Sequence, residues 1–176
     1  MKRLALLVAL AAPLGACGLH PLYEGGGAGP VAASLARVEV AAIPGKAGYL
    51  MSNALRDRLP ERSDEPALYR LEIKLDDSIT GLGVRRDDTI TRERRSLRAR
   101  YQLVDNATGE VVLDATAGSD AGVDVVNSEY ATIAAENTAL ENLSNIVADQ
   151  IVARIATYTR RTANASGTTG ATDKAK

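Results

Sequence analysis

The sequence predicts an α+β fold: a two-layer sandwich whose four-stranded mixed or antiparallel sheet carries two helices on one face, in the order β-α-β-β-β-α. Three observations carry this reading. Ala67, Tyr69, Leu71, Ile73 and Leu75 alternate with Arg70, Glu72, Lys74 and Asp76, the period-two pattern of a strand with one buried and one solvated face. Thr89 to Val104 repeats the pattern, with Leu97, Ala99, Tyr101 and Leu103 as its apolar side. Near the C-terminus, Tyr130, Ile133, Leu140, Leu143, Val147, Ile151, Ile155 and Tyr158 are spaced three, four or seven residues apart, as one face of a long helix requires.

The other elements fall around these. Val38, Val40 and Ala42 alternate with Arg37 and Glu39 in a strand predicted over Leu35 to Ile43, which Pro44-Gly45 ends. Tyr49 to Leu59 reads as a helix with Leu50, Met51, Ala54, Leu55 and Leu59 on one side, and Pro60 closes it. Glu61 to Pro66 is a polar connection, and Gly81-Leu82-Gly83 to Asp88 reads as a loop. Asp105 to Gly109 is a hairpin turn leading to a fourth strand, with Val111, Leu113, Ala115 and Ala117 inward. Asp120 to Asn127 reads as a polar loop, after which Asn127 or Ser128 caps the long helix. Arg160 and Arg161 end that helix, where positive charge complements its dipole. Thr162 to Lys176 is rich in Ala, Thr, Ser and Gly and reads as disordered. The chain lacks Phe and Trp and has six Tyr, so the core is expected to be aliphatic.

The N-terminus carries a different signal. Lys2 and Arg3 precede an apolar run from Leu4 to Ala12, and Leu14-Gly15-Ala16-Cys17 follows. This is the layout of an export signal, too short to span a bilayer, and its last four residues match the box cut by the lipoprotein signal peptidase. Cleavage before Cys17 would make that cysteine the lipid-bearing first residue, and two or three acyl chains anchor stably. Cys17 is the only cysteine, so no intramolecular disulfide is available. Gly18 rather than Asp follows it, which favours the outer membrane, and Gly25-Gly26-Gly27-Ala28-Gly29 reads as a flexible tether. The expected organisation is a signal peptide at 1–16, a lipidated N-terminus and tether at 17–33, an α+β domain at 34–160 and a tail at 161–176. Without Lys2 and Arg3 the mature chain has 19 Lys and Arg against 22 Asp and Glu, which is not the balance of a nucleic-acid-binding protein.

Catalytic inventory is thin. The single histidine, His20, lies in the tether, so neither a Ser-His-Asp nor a Cys-His arrangement is expected on a rigid frame. His and Cys are not clustered for metal binding, and the pairs Asp76-Asp77 and Asp87-Asp88 lack calcium-loop spacing. The expectation is a non-enzyme without cofactor or metal. One chemical feature stands out: Arg92, Arg94, Arg98 and Arg100 all fall on the even face of the third strand, with Arg95, Arg85 and Arg86 nearby. Guanidinium groups about 7 Å apart along one strand face repel unless anions accompany them. Two readings remain open, a mixed salt-bridge surface using Glu72, Glu39 and Asp114, or an anion-binding strand that grips phosphate or carboxylate.

Cys17-Gly18-Leu19-His20-Pro21-Leu22-Tyr23, Tyr69-Arg70-Leu71, Tyr101-Gln102-Leu103-Val104-Asp105 with Gly109, and Glu129-Tyr130-Ala131-Thr132 together resemble the lipopolysaccharide-assembly lipoprotein family, LptE. The resemblance runs from Cys17 to about Tyr158 and rests on the order of elements more than on any one motif. It implies an outer-membrane lipoprotein, lipid-anchored on the periplasmic side. Such a protein plugs and helps assemble LptD, the β-barrel translocon that inserts lipopolysaccharide into the outer leaflet, and lipopolysaccharide is a further ligand. The family's lipidated cysteine corresponds to Cys17, and no lipopolysaccharide-contacting residue is carried over. An auxiliary lipoprotein of a phospholipid-transport ABC system is the alternative, since it too would combine this N-terminus with a small α+β domain.

Overall fold

The computed structural model describes residues 29–60, 65–84, 90–126 and 128–172. Cys17, the signal peptide and residues 17–28 of the expected tether lie outside the described residues, as do 173–176. The elements are α1 (Pro30–Leu35), β1 (Val38–Val40), α2 (Gly45–Arg56), β2 (Tyr69–Val84), β3 (Ile90–Asp105), β4 (Val111–Asp124) and α3 (Glu129–Thr172). The strands form one sheet in sequential order. β1 runs parallel to β2, and β2–β3–β4 form an antiparallel meander, so the sheet is mixed. β1, α2 and β2 make a βαβ crossover, the connection that parallel neighbours need.

Period-two register decides which face meets the helices. Leu71, Leu103 and Leu113 lie side by side across β2, β3 and β4, as do Ile73, Tyr101 and Ala115, then Leu75, Ala99 and Ala117. On the helix side, Leu140, Leu143, Val147, Ile151 and Ile155 are buried along α3, and Met51, Ala54 and Leu55 along α2. Each fully buried Leu or Ile contributes roughly 1.5–3 kcal/mol of transfer free energy. The core is aliphatic around one large aromatic, Tyr101, which is 2% exposed. Tyr158 meets Tyr69 edge-on, with ring centroids 6.4 Å apart.

Five local expectations change. Helix α1 begins at Pro30 inside the stretch read as tether, because Pro suits the first helical turn and Val31, Ala32 and Leu35 face the core. The first strand is therefore Val38–Val40 rather than Leu35 to Ile43. The glycines at 81 and 83 belong to β2, whose pairing with β3 continues to Val84 opposite Ile90. The polar stretch from Asp120 is strand as far as Asp124, because ladder pairing with Arg92 to Ser96 outweighs its loop-like composition. Finally α3 runs to Thr172, past the boundary drawn at residue 160 and through residues 162–172 of the stretch read as disordered.

The stripe of α3 also differs at its start. Tyr130 is 87% exposed and Ile133 is 46% exposed, so the buried stripe begins at Ala139 and Leu140, and nearby Asn137 accepts from Lys46 Nζ. Thr132 faces inward instead, and its hydroxyl bonds the Val126 backbone. Ser128 caps the helix by accepting from Ala131 N–H, as one of the two expected caps. The β3–β4 turn closes as read from the sequence: Asp105 Oδ1 accepts from Ala107 N–H at 2.7 Å, and Gly109 supplies a φ of 73°.

One arginine joins the two layers. Arg95 points to the helix side, where its Nε and Nη2 hold Asp77 at 2.9 and 2.6 Å and its Nη1 donates to the Glu136 carbonyl of α3 at 2.9 Å. Arg95 is 8% exposed. Removing one member of such a pair strands a charge or carbonyls in a poorly solvated site. Arg95→Ala is therefore expected to lower stability by about 2–4 kcal/mol in urea unfolding, and Arg95→Met with Asp77→Leu to recover most of it.

Candidate functional site

The even positions of β2, β3 and β4 face away from both helices, so one entire face of the sheet is uncovered by the described residues. Pleating puts Arg70, Glu72, Lys74 and Asp76 of β2 there, with Arg92, Arg94, Arg98 and Arg100 of β3 and Asp114, Asp120 and Asp124 of β4. The structure thus brings all four arginines singled out in the sequence onto one face. Arg95 belongs to the opposite face, as its odd position requires, and Arg85 and Arg86 lie outside the described residues.

The arginines are arranged as a cross-strand ladder with acids. Arg100 holds Asp114, with Nη2 to Oδ2 at 2.9 Å, and Gln102 donates to the same oxygen at 2.9 Å. Arg98 holds Asp120 through Nη2 at 3.0 and 2.8 Å, and Ser96 Oγ donates to that carboxylate as well. Arg92 reaches Asp124 at 3.4 Å. Arg94 makes no hydrogen bond or ion pair among the described residues, although its charge acts on Asp120. Of the expected acidic neighbours Asp114 takes part, whereas Glu72 pairs with Arg70 on its own strand at 2.9 Å. Asp120 and Asp124 were missed because their segment reads as loop; their even spacing opposite even arginines was the available signal.

Glycine makes the ladder sterically possible. Gly118 lies opposite Arg98, and a Cβ there would sit 2.4 Å from Arg98 Cδ and 3.0 Å from Nη1. Without that Cβ, Arg98 lies across β4, donates to the Ser119 carbonyl at 2.9 Å and reaches Asp120. Lys74 stands directly opposite Arg100, like charge beside like charge, which is unfavourable unless anions intervene. A shallow depression of about 420 Å³ lies there, bordered by Lys74, Asp76, Arg98, Arg100 and Thr116. Lys74 is the cation that attention to arginines alone overlooks, and it makes no ion pair among the described residues. Chemically this depression can receive a phosphate or carboxylate. No cluster of His, Cys, Asp and Glu among the described residues could hold a metal, and no described helix is long and apolar enough to cross a membrane.

Hydrogen bonds from Arg100 and Gln102 lower the Asp114 carboxyl below its ordinary 3.8, and those from Arg98 and Ser96 lower Asp120. Both values fall on folding, so the two pairs favour the folded state above the ordinary carboxylate range. That contribution is lost as pH drops through the lowered folded values. Carboxyl NMR titration should place both midpoints below 3.8. In Gly118→Val the Asp120 midpoint should rise while that of Asp114 stays low; an unchanged Asp120 midpoint would show that the ladder does not depend on the glycine gap.

These features define a class, the small two-layer α+β domains, and solved structures of lipoproteins share the fold. The chain is similar to a putative lipoprotein from Caulobacter crescentus at 27% identity, with 76% of this chain and 98% of that one covered and a TM-score of 0.64. An uncharacterized lipoprotein B from Nitrosomonas europaea shares the fold at 13% identity, with coverage of 70% and 83% and a TM-score of 0.56. Rare lipoprotein B from Shewanella oneidensis does so at 9% identity, with coverage of 68% and 92% and a TM-score of 0.51. No curated protein sequence matches the chain. The sequence profile of LptE, described as Lipopolysaccharide-assembly, matches residues 35–155. The chain belongs to the LptE family.

Proposed function

We propose that the protein is a non-catalytic outer-membrane lipoprotein, anchored through acyl chains on Cys17 on the periplasmic side. In this reading it seats inside and helps assemble the LptD β-barrel that inserts lipopolysaccharide. Family membership over residues 35–155 supports the lipopolysaccharide-assembly part of this reading. The observation that carries the rest is the uncovered sheet face. A surface exposed to lipid or to an apolar partner would be greasy, whereas this one pairs arginine with aspartate between β3 and β4 and carries further charges on β2. Barrel lumens are polar, and a rigid polar sheet with few net charges suits such a chamber. Most arginines on the face already hold carboxylates, so recognition falls to Arg94, Lys74 and the depression beside Arg98 and Arg100. Phosphates of lipopolysaccharide or acidic lumen side chains are the anions these cations would meet.

Affinity purification of the lipidated protein from membranes is expected to recover a stable one-to-one complex with LptD. Recovery instead with a phospholipid-transport ABC complex would favour the alternative reading. Replacing Arg92, Arg94, Arg98 and Arg100 with Gln is expected to weaken barrel association or lipopolysaccharide binding. Unchanged behaviour in both would remove the sheet face from the mechanism.

A further inference from the structure

Along the β4 edge the sheet meets α3 through one side chain. Gln150 reaches over the edge, accepting from Gly118 N–H at 3.1 Å and donating to its carbonyl at 3.5 Å. Gly118 therefore turns both backbone groups away from β3. Antiparallel alternation turns those of Thr116, two residues earlier, the same way, and nothing among the described residues bonds them. A backbone N–H is thus left at the edge. Arg154, one helical turn beyond Gln150, lies over it.

Beside Thr116 is a pocket of about 470 Å³, lined by Tyr101, Ala115, Thr116, Ala117, Gln150 and Arg154. Two small residues open it: Ala115 stands opposite Tyr101 and Ala117 opposite Ala99, where larger side chains would fill the gap under α3. The lining includes one cation and no acid. Arg154 is exposed and makes no hydrogen bond or ion pair among the described residues. The acids of β4 and α3 that could compensate it are engaged: Arg100 holds Asp114, Arg98 holds Asp120 and Arg58 holds Asp149. Tyr101 is buried, and a buried tyrosine hydroxyl usually finds a partner, yet this one has none among the described residues. Burial raises that phenol above its ordinary value and the Arg154 charge opposes the rise, so cation and hydroxyl share one electrostatic environment.

We infer that Arg154, the Thr116 N–H and the Tyr101 hydroxyl form a binding site for a single carboxylate group. The guanidinium fork matches both carboxylate oxygens, and the backbone N–H and the phenol each donate to one of them. One cation balances one negative charge, whereas a doubly charged phosphate would leave charge uncompensated at a partly buried site. The methyl groups of Ala115 and Ala117 and the Tyr101 ring receive the carbon that carries the carboxylate. A free organic acid and an acidic side chain of a partner present the same group. The site lies on the helix side of β4, and it rests neither on the arginines of the open face nor on the reading of the protein as a barrel partner.

The test titrates the full-length lipidated protein in detergent, at constant ionic strength, with sodium butyrate, with N-acetylglutamate α-methylamide and with inorganic phosphate. NMR follows the Thr116 amide and the Arg154 Nε–H. At least one carboxylate is expected to shift both signals saturably, with a Kd of about 1–10 mM. Tighter binding of butyrate identifies a free acid as the source, and tighter binding of the glutamate derivative a partner's side chain; equal affinities assign recognition to the carboxylate alone. Arg154→Gln should weaken binding about tenfold, and Tyr101→Phe, which keeps the ring, about fivefold. Bound carboxylate should also raise the Tyr101 titration midpoint in the unaltered protein but not in Arg154→Gln, a readout that a packing role for Arg154 would not move. The site is overturned by the absence of a saturable shift, by phosphate binding more tightly than both carboxylates, or by binding that survives Arg154→Gln unchanged.

Discussion

The apolar stripe of α3 against the odd face of the meander is the contact on which everything else rests. Leu140, Leu143, Val147, Ile151 and Ile155 are buried over Leu97, Ala99, Tyr101 and Leu103, with Met51 and Leu55 of α2 completing the layer. Side chains alternate along a strand, so committing one face to this core commits the other to the outside. The even face carries charge for that reason, and its arginines cannot be moved inward without slipping the register by one residue and inverting both faces.

Two arginines of neighbouring strand positions show how far parity governs behaviour. Arg95 turns inward and is held by Asp77 and by the Glu136 carbonyl, joining β3, β2 and α3. Arg94 turns outward, with no ion pair among the described residues. A second clamp links the helices: Arg58 donates to Asp149, to Asn145 and to the Ala54 carbonyl, and its hydrogen bond lowers the Asp149 carboxyl below its ordinary value. Such pairs do little as isolated surface bridges. Here they tie the end of α2 to α3.

Much of the candidate site was legible, and the rest was hidden for identifiable reasons. The even arginines and odd apolar residues of β3 were visible because a strand's period is short and the segment keeps it without interruption. Segment Asp120–Asp124 was not visible, since Ser, Asp and Gly speak for a turn and only pairing with a charged neighbour makes them strand. Helix α1 was concealed by the glycines before it, and the importance of Gly118 needs the position of an arginine on another strand. Lys74 needs the register that sets it opposite Arg100.

The sequence by itself determined the α+β class, the element order beyond α1 and the polarity of each sheet face, because local periodicity encodes these. Only the tertiary structure decided which carboxylate each arginine holds, that Arg95 is a buried connector, and that Gln150 caps the β4 edge. Those outcomes depend on register and on the approach of residues far apart in the chain, and neither is written in any local pattern.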